Sequence, residues 1–208
     1  MKRFMGILFG TLCWVGTAPA ENLAPDVLIR NTIEQVIEVV KKDEDIRAGD
    51  LQKTLALVNA KVLPYFDFQR MTRLAIGKYW RRASVEQKQA LIEEFRNILV
   101  RTYTKVFSIY RDQVIDIKPL KFTSDDDEVT VKTTITKPGS SVIPVNYEMK
   151  IGESGWKVFD IYIEGVSMVM SYRSTFRSQI QESGIDGLIK AMAEKNEKAF
   201  SSQLNKVK

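Results

Sequence analysis

The chain of 208 residues contains no histidine, and its single cysteine, Cys13, lies within the first twenty residues. Residues 21–208 therefore cannot supply a thiol nucleophile, a Ser-His pair, an imidazole general base or an imidazole metal ligand. They also cannot form a disulfide. Because these absences remove most familiar catalytic groups, the sequence favours a binding protein over an enzyme, and carboxylate chemistry is the remaining catalytic possibility.

Motifs that bind phosphate or metal are missing as well. Gly77-Lys78 lacks the upstream glycine and the following Ser or Thr of a phosphate-binding loop. The acidic run at residues 125–128 lacks the ligand spacing and the glycine of a calcium loop, so we interpret it as a solvated hairpin loop, with calcium as the alternative. We predict no cofactor, no metal site and no catalytic residue.

The first twenty residues have the pattern of a secretory signal. Lys2 and Arg3 precede an apolar run at residues 4–15, and Ala18-Pro19-Ala20 offers small residues at a cleavage site. We expect cleavage after Ala20 and export to the periplasm, and no later apolar run is long enough to span a bilayer. The remaining 29 basic and 26 acidic residues give a charge of +3, which suits anionic lipid surfaces and is too small to indicate nucleic acid.

The first half of the chain reads as helices. Pro25 suits the first turn of a helix that ends before a charged loop at residues 41–49, and Asp50 is an N-cap for the next helix. A short helix is predicted over residues 67–76, with Gly77 as a left-handed terminator. Ser84 and Gln87 form a capping box for the longest helix. The apolar stripes are Ile29, Ile33, Val36 and Val40 in the first helix, Leu51, Leu55, Val58 and Val62 in the second, and Leu91, Phe95, Ile98, Thr102, Val106 and Ile109 in the longest.

From Val114 the apolar period changes to two, which indicates strands. Apolar and polar residues alternate over 129–135 and over 145–151. A turn at 152–155 then leads into a strand at 156–166. Trp156 and Val158 fall on one face of that strand, and Phe159, Ile161 and Ile163 on the other, so we expect it to be central in its sheet.

Two helices are predicted to follow the strands. Ser167 caps the first of them, which ends before Gly184, and the second covers residues 186–192. The fold class is α+β, with helices against an antiparallel sheet of about four strands. We expect one domain at residues 21–193 and a polar C-terminal tail at 194–208.

At the level of whole segments, the sequence resembles the periplasmic toluene-tolerance family, the soluble lipid shuttle of the bacterial system that maintains outer-membrane lipid asymmetry. The resemblance covers residues 31–192. It is carried by the segments VLPYFDF at 62–68, LAIGKYWR at 74–81, the strand at 129–135, GWKVFD at 155–160, GVSM at 165–168 and GIDGLI at 184–189, together with Tyr172-Arg173 and Phe176.

The resemblance implies a cone-shaped arrangement in which a curved sheet and helices enclose a deep apolar cavity. Both acyl tails of a glycerophospholipid would enter this cavity, with the head group near the surface. It also implies two partners, an outer-membrane lipoprotein–porin complex and an inner-membrane ABC-type lipid transporter with a periplasmic substrate-binding domain.

Large, flexible apolar side chains suit such a cavity because an unpaired polar atom beside hydrocarbon costs free energy. We predict that the acyl tails contact Met71, Leu74, Tyr79, Phe95, Leu99, Tyr103, Val131, Tyr147, Met149, Ile161, Val166, Met168 and Val169. Packed core uses the same residue types, so each of these is equally consistent with an interior that binds nothing.

Two other functions compete with the lipid carrier. An enzyme on a similar scaffold would need Asp160 or Asp67 as a buried carboxylate with a shifted pKa. A protein-binding envelope adaptor would need no cavity. If the chain carries lipid, a helix pair over the sheet is the expected moving part, with a hinge near Gly77.

Overall fold

The computed structural model describes residues 23–108, 113–137, 139 and 141–204. The predicted signal at 1–20 and Ile109 of the predicted stripe lie outside the described residues. The helices are α1 (Pro25–Lys42), α2 (Glu44–Ala48), α3 (Leu51–Lys61), α4 (Phe68–Ile76), α5 (Val85–Ser108) and α6 (Arg173–Leu204). The strands are β1 (Val114–Ile117), β2 (Glu128–Thr136), β3 (Ile143–Gly152), β4 (Gly155–Ile163) and β5 (Val166–Ser167).

The strands form one antiparallel sheet in the order β1-β2-β3-β4-β5. The predicted α+β class is confirmed, and five strands stand where about four were expected. The additional strand is β5, whose two residues pair with the end of β4 and carry too little alternation to be recognised.

The strand that was predicted to be central, β4, is an interior strand, paired with β3 on one side and with the two-residue edge strand β5 on the other. Residues on both of its faces are buried, as predicted. Its outer edge is covered by β5 and by a parallel bridge between Phe66 and Val158, where the backbone N–H of Asp67 donates to the Val158 carbonyl at 2.9 Å. The outer edge of β4 is therefore covered by a two-residue strand and irregular chain, where a full strand would be expected.

The prediction that Ile161 and Ile163 lie on the opposite face from Trp156 and Val158 was wrong, because of a β-bulge. Met149 pairs with Val158 and Glu148 pairs with Asp160, so Phe159 is an extra residue with no opposite partner. The bulge shifts the alternation by one residue, and Ile161 joins Val158 in the main core.

Side-chain caps confirm three helix starts. Asp50 accepts from the Lys53 N–H at 3.0 Å and Asp67 from the Arg70 N–H at 2.8 Å. The capping box is formed in both directions, with Gln87 N–H donating to the Ser84 hydroxyl at 3.1 Å and Ser84 N–H donating to Gln87 Oε1 at 3.0 Å.

The charged segment at 41–49 is partly helical, contrary to the predicted loop. Asp43 accepts from the N–H groups of Asp45 and Ile46, each at 3.0 Å, and this cap begins α2. Burial of Ile46 stabilises the short helix, which ends at Gly49 in the left-handed conformation. The next helix, α3, buries Thr54, Leu57 and Val58 rather than the full predicted stripe.

Two glycines end or bend helices in conformations that other residues avoid. Gly77 ends α4 at φ 62°, ψ −128°, which is outside the left-handed helical region that was predicted. Gly184 has φ 74°, ψ −176° and breaks α6, where two helices were predicted. The helix then continues past Met192 to Leu204, and the Asn196 amide donates to the Glu94 carbonyl at 3.0 Å and to its carboxylate at 2.6 Å.

The apolar interior consists of two clusters. The main cluster joins the sheet to α4, α5 and α6 and contains Phe95, Val131, Met149 and Val169. A satellite cluster joins the second half of α1 to α2 and α3, and it contains Val36, Val40, Ile46 and Leu57, with Val62 packed against it. The helices α1 to α3 therefore share an apolar cluster that is separate from the main one.

An ion pair ties α4 to the sheet. Arg70 Nη2 donates to Glu128 Oε1 at 2.6 Å, and its guanidinium carbon lies 4.0 Å from the centre of the Phe159 ring. The hydrogen bond from Arg70 is the largest cause that lowers the pKa of Glu128 from its ordinary value of 4.5. The Arg70 side chain is 17% exposed and that of Glu128 is 44% exposed, so solvent weakens the pair.

We expect Arg70→Met to lower the free energy of unfolding at pH 7 by about 1 kcal/mol. Because the pKa of Glu128 is lowered in the folded state, the ion-pair part of this contribution is complete above pH 4.5 and is lost as the pH falls through the lowered value, whereas the contact of Arg70 with the Phe159 ring remains. Urea unfolding of both proteins at pH 7 and pH 3 measures the difference. Lys42→Met, at an ion pair with Glu38 in which the side chains are 74% and 64% exposed, is the control and should change nothing. A difference between the wild type and Arg70→Met that is equally large at pH 3 would contradict the assignment.

Candidate functional site

An apolar cavity of about 100 Å³ lies where the satellite cluster meets the main cluster. Its walls come from α3, the turn after it, the start of α4, the second half of α5, β4 and the turn after β5. The lining residues are Val58, Val62, Leu63, Phe66, Phe68, Met71, Leu99, Val100, Tyr103, Thr104, Ile161 and Met168.

Backbone hydrogen bonds place the turn between α3 and α4 on one side of this cavity. Pro64 lies in a 3-10 turn after α3, and the chain then reaches the edge of β4 at Phe66. The Asp67 cap starts α4 at once, so Phe66 and Phe68 are held close together and their rings stack with centroids 5.8 Å apart. This arrangement presents two aromatic rings to the cavity.

The cavity wall is suited to hydrocarbon. Ten of its twelve lining residues are apolar, and Tyr103 and Thr104 carry the polar side-chain atoms. The Tyr103 hydroxyl is hydrogen-bonded to Tyr172, and its pKa is raised mainly by burial. Both groups are neutral at pH 7, and among the lining residues that the structure describes none carries a charge. The chemistry of this wall is burial of an apolar ligand.

The residues predicted to contact acyl tails fall into two groups. Met71, Leu99, Tyr103, Ile161 and Met168 line the cavity. The others lie elsewhere in the structure: Tyr79, Phe95, Val131, Met149 and Val169 are buried in the main cluster, Leu74 and Tyr147 are partly buried against it, and Val166 is 63% exposed. Contact of any of the thirteen with a ligand stays a prediction.

Tyr147, whose orientation the sequence leaves open, places its hydroxyl inside the protein. The hydroxyl is hydrogen-bonded to Thr133, and burial raises the pKa of Tyr147 to about 12. Thr133 in turn donates to the Val145 carbonyl at 2.8 Å. The pair therefore satisfies polar atoms within the sheet.

Seven lining residues were missed. They are Val58, Val62, Leu63, Phe66, Phe68, Val100 and Thr104. The run of apolar and aromatic residues at 62–68 was a usable signal, because such a run in a turn needs an apolar partner. Val100 and Thr104 gave no signal, since they lie beside the predicted stripe of α5. Thr102, which belongs to that stripe, is exposed instead.

Both carboxylates that an enzyme would require have backbone partners. Asp67 is the cap of α4. Asp160 is buried and accepts from the N–H groups of Ile161 at 2.8 Å and Val169 at 3.1 Å and from the Ser167 hydroxyl. Ser167 accepts from the Met170 N–H at 2.9 Å. Asp160 thus holds the turn that follows β5 against β4, which is a structural role.

Among the described residues, no group of three or more acidic, histidine or cysteine side chains is arranged to hold a metal ion. The acidic run behaves as a paired loop. Lys150 Nζ donates to Asp127 at 2.6 Å and to Glu128 at 3.1 Å, and the Thr123 N–H donates to Asp126 at 2.7 Å.

Comparison with known proteins gives consistent matches over most of the chain. The family model described as "MlaC protein" matches residues 30–194. The "Intermembrane phospholipid transport system binding protein MlaC" of Haemophilus influenzae is 25% identical over 179 residues, which is 85% of this chain and 83% of that relative. The "Toluene tolerance protein ttg2D" of Pseudomonas putida is 24% identical over 163 residues, which is 78% of this chain and 75% of that relative.

A solved structure has the same fold. It is a phospholipid-binding protein from Ralstonia solanacearum in complex with a phospholipid, and it superimposes with a TM-score of 0.78 at 31% sequence identity. The alignment covers 85% of this chain and 99% of the Ralstonia chain. The residues matched by the family model, 30–194, include the elements that form the cavity.

Proposed function

The chain belongs to the MlaC family, and we propose on this basis that it is a carrier that binds a glycerophospholipid by its acyl tails and transfers it between membranes. The observation that carries the proposal is the cavity, whose wall is apolar except for two neutral hydroxyls. The Haemophilus relative named for phospholipid transport and the Ralstonia protein with its phospholipid support the same ligand class.

The size of the cavity supports a protein that opens to take up lipid. Pockets that enclose small ligands measure about 300–1,000 Å³, whereas this cavity measures about 100 Å³. Two acyl tails need the walls to separate, and the cavity already lies at the seam between the two apolar clusters. We propose that α3 moves away from α5 and the start of α4 when lipid enters.

Burial energies favour exchange over free release. Two tails with about thirty carbons represent roughly 24 kcal/mol of apolar burial at about 0.8 kcal/mol per CH₂. Spontaneous release into water is therefore extremely slow. The tails must enter another apolar environment as they leave this one, so a membrane-bound partner that opens the seam is part of the proposal.

The resemblance supports periplasmic location after signal cleavage at Ala20, and two docking partners. These are the outer-membrane lipoprotein–porin complex and the inner-membrane ABC-type lipid transporter with its periplasmic substrate-binding domain. Among the described residues, no helix is long and apolar enough to cross a bilayer. We propose that lipid reaches and leaves the carrier through these partners.

The competing functions have weaker support. An enzyme would need a reactive carboxylate, and both candidates, Asp160 and Asp67, are engaged by backbone N–H groups. An adaptor that binds protein alone gives no reason for an apolar cavity between two clusters.

The first test is native mass spectrometry of residues 21–208, exported and purified without detergent and followed by lipid extraction. We expect a bound glycerophospholipid in about one-to-one ratio. Val62→Asp should lower the bound lipid at least tenfold, because a carboxylate in the cavity wall is unfavourable beside hydrocarbon. The matched control is Lys61→Asp, which places the same charge on the exposed neighbouring residue.

Either of two results would refute the proposed function. The first is a wild-type protein that is empty and takes up no phospholipid from vesicles. The second is an equal lipid content in Val62→Asp and Lys61→Asp, which would place the ligand elsewhere.

A further inference from the structure

One polar atom in the cavity wall has no partner. The Thr104 side chain is on α5, is 1% exposed and lines the cavity. Its hydroxyl makes no hydrogen bond to any residue that the structure describes. Buried hydroxyls are almost always hydrogen-bonded, and an unpaired one in a native interior calls for an explanation.

Four other helical threonines, on α1, α3, α4 and α5, show what Thr104 could have done. Each of these four donates its hydroxyl to the carbonyl four residues earlier in the chain. These bonds are Thr32 to Leu28 at 2.8 Å, Thr54 to Asp50 at 2.6 Å, Thr72 to Phe68 at 2.7 Å and Thr102 to Ile98 at 2.7 Å. A local bond of this kind is the usual arrangement for threonine within a helix. Thr104 departs from it and keeps its donor available in the cavity.

The surroundings of Thr104 narrow the chemistry of a partner. The second polar group of the wall, the Tyr103 hydroxyl, is already hydrogen-bonded to Tyr172. The lining that the structure describes contains no cation that could balance a carboxylate or a phosphate. A neutral acceptor on an otherwise apolar molecule fits best, because a buried unpaired charge is far more costly than a neutral carbonyl.

We propose that the Thr104 hydroxyl donates a hydrogen bond to an acyl ester carbonyl of the bound lipid, and so selects ester-linked over ether-linked glycerophospholipids. The ester carbonyls lie where the tails join the glycerol, so Thr104 marks how deeply the lipid is inserted. This inference rests on the proposed function. An ether lipid of the same head group and chain length lacks the carbonyl and leaves the hydroxyl unpaired.

The test is competition between a diacyl phospholipid and the dialkyl ether lipid with the same head group and chain lengths. Vesicles contain both lipids in equal amounts, and the lipid bound by residues 21–208 is extracted and quantified. We expect wild type to prefer the diacyl lipid about tenfold, the effect of one hydrogen bond made to a group that is otherwise unpaired. Thr104→Val should bind both lipids equally, and Thr104→Ser should keep the preference. Thr102→Val, which removes a hydroxyl already bonded within α5, should behave as wild type.

Two readouts separate binding from folding. Infrared spectra of lipid with ¹³C-labelled ester carbonyls should show a carbonyl band at lower frequency in wild type than in Thr104→Val. Without lipid, Thr104→Val should melt no lower than wild type, because valine has the same shape and removes an unpaired polar group.

The outcomes distinguish the two proposals. Equal binding of diacyl and dialkyl lipid by wild type, or a preference that persists in Thr104→Val, would overturn the role of Thr104 and leave the carrier function intact. A clearly lower melting temperature of lipid-free Thr104→Val would also overturn it, since the hydroxyl would then have a partner in the protein. Failure of wild type to take up either lipid would overturn the carrier function itself.

Discussion

Linking α3 to α5 with a short reversible cross-link is expected to stop phospholipid exchange while lipid already bound stays in place. Arg96 on α5 donates to the Asn59 side chain on α3 at 2.6 Å, and its guanidinium carbon lies 5.8 Å from the centre of the Phe68 ring. Phe68 lines the cavity, so these three residues span the seam that we propose to open. Residues 21–208 contain no cysteine, and Asn59→Cys with Arg96→Cys therefore gives a unique pair of thiols.

The measurement is exchange of bound lipid against labelled phospholipid in vesicles, before cross-linking, after it, and after reduction of a bis-methanethiosulfonate linker. We expect at least a tenfold loss of rate on cross-linking and full recovery on reduction, since walls that cannot separate cannot admit two tails. Before cross-linking, the double variant should exchange at least as fast as wild type, because it lacks the Arg96 contact.

The matched control joins α5 to α6 at Gln87 and Asp186, whose side chains are hydrogen-bonded at 2.7 Å. Both helices belong to the main cluster, so this cross-link should leave exchange unchanged. Undiminished exchange with α3 and α5 linked would show that the cavity opens elsewhere, and the segment near Gly77 would be the next place to test. Gly77 follows the last residue of α4, whereas Phe68 and Met71 at the start of that helix line the cavity.

Asp160→Ala is expected to cause the largest loss of stability of any single change discussed. The carboxylate is buried and accepts from two backbone N–H groups and the Ser167 hydroxyl. Alanine would leave these donors unpaired, and we expect the free energy of unfolding to fall by about 3–5 kcal/mol. The corresponding fall in melting temperature is about 10 °C for a chain of this size. Calorimetry or thermal circular dichroism measures it.

Conservative and positional controls separate this role from a catalytic one. Asp160→Asn keeps an acceptor for the two N–H groups and should lose much less stability. Asp67→Ala removes a partly buried helix cap in the same region and should cost about 1 kcal/mol. If Asp160→Ala had the same melting temperature as the wild type, the carboxylate would have no structural role. The enzyme alternative would then have to be tested.

Much of the fold was predictable because it is encoded locally. The caps at Asp50 and Asp67 and the box at Ser84 and Gln87 involve residues three apart, so their hydrogen bonds follow from short-range geometry. Strand periodicity from residue 129 onwards likewise needs only one solvated and one buried face. The α+β class and the antiparallel order of consecutive strands follow from these elements and the turns between them.

The errors occur where distant residues decide the outcome. The bulge at Phe159 shifts the alternation of β4 for the residues after it, and the Phe159 ring packs against Arg70, which is far away in the sequence. The edge of β4 is covered by a bridge from Phe66, which no pattern within the strand could indicate. The predicted loop at 41–49 contains the helix Glu44–Ala48 because Ile46 packs into an apolar cluster with distant residues. In each case tertiary contacts outweigh a weak local preference.

The sequence by itself determined the α+β fold class and most helix and strand boundaries, since these depend on residues within one or two turns of each other. Its composition determined which catalytic chemistries are excluded. Its segment-level resemblance also pointed to the family. Only the tertiary structure decided which apolar side chains form packed core and which line a cavity. Phe95 and Leu99 are one turn apart on α5, yet only Leu99 lines the cavity. Which of the two faces the cavity depends on how α3 and the turn at Phe66 pack against α5. The same long-range packing leaves the Thr104 hydroxyl without a partner inside the wall, where no pattern along α5 marks it.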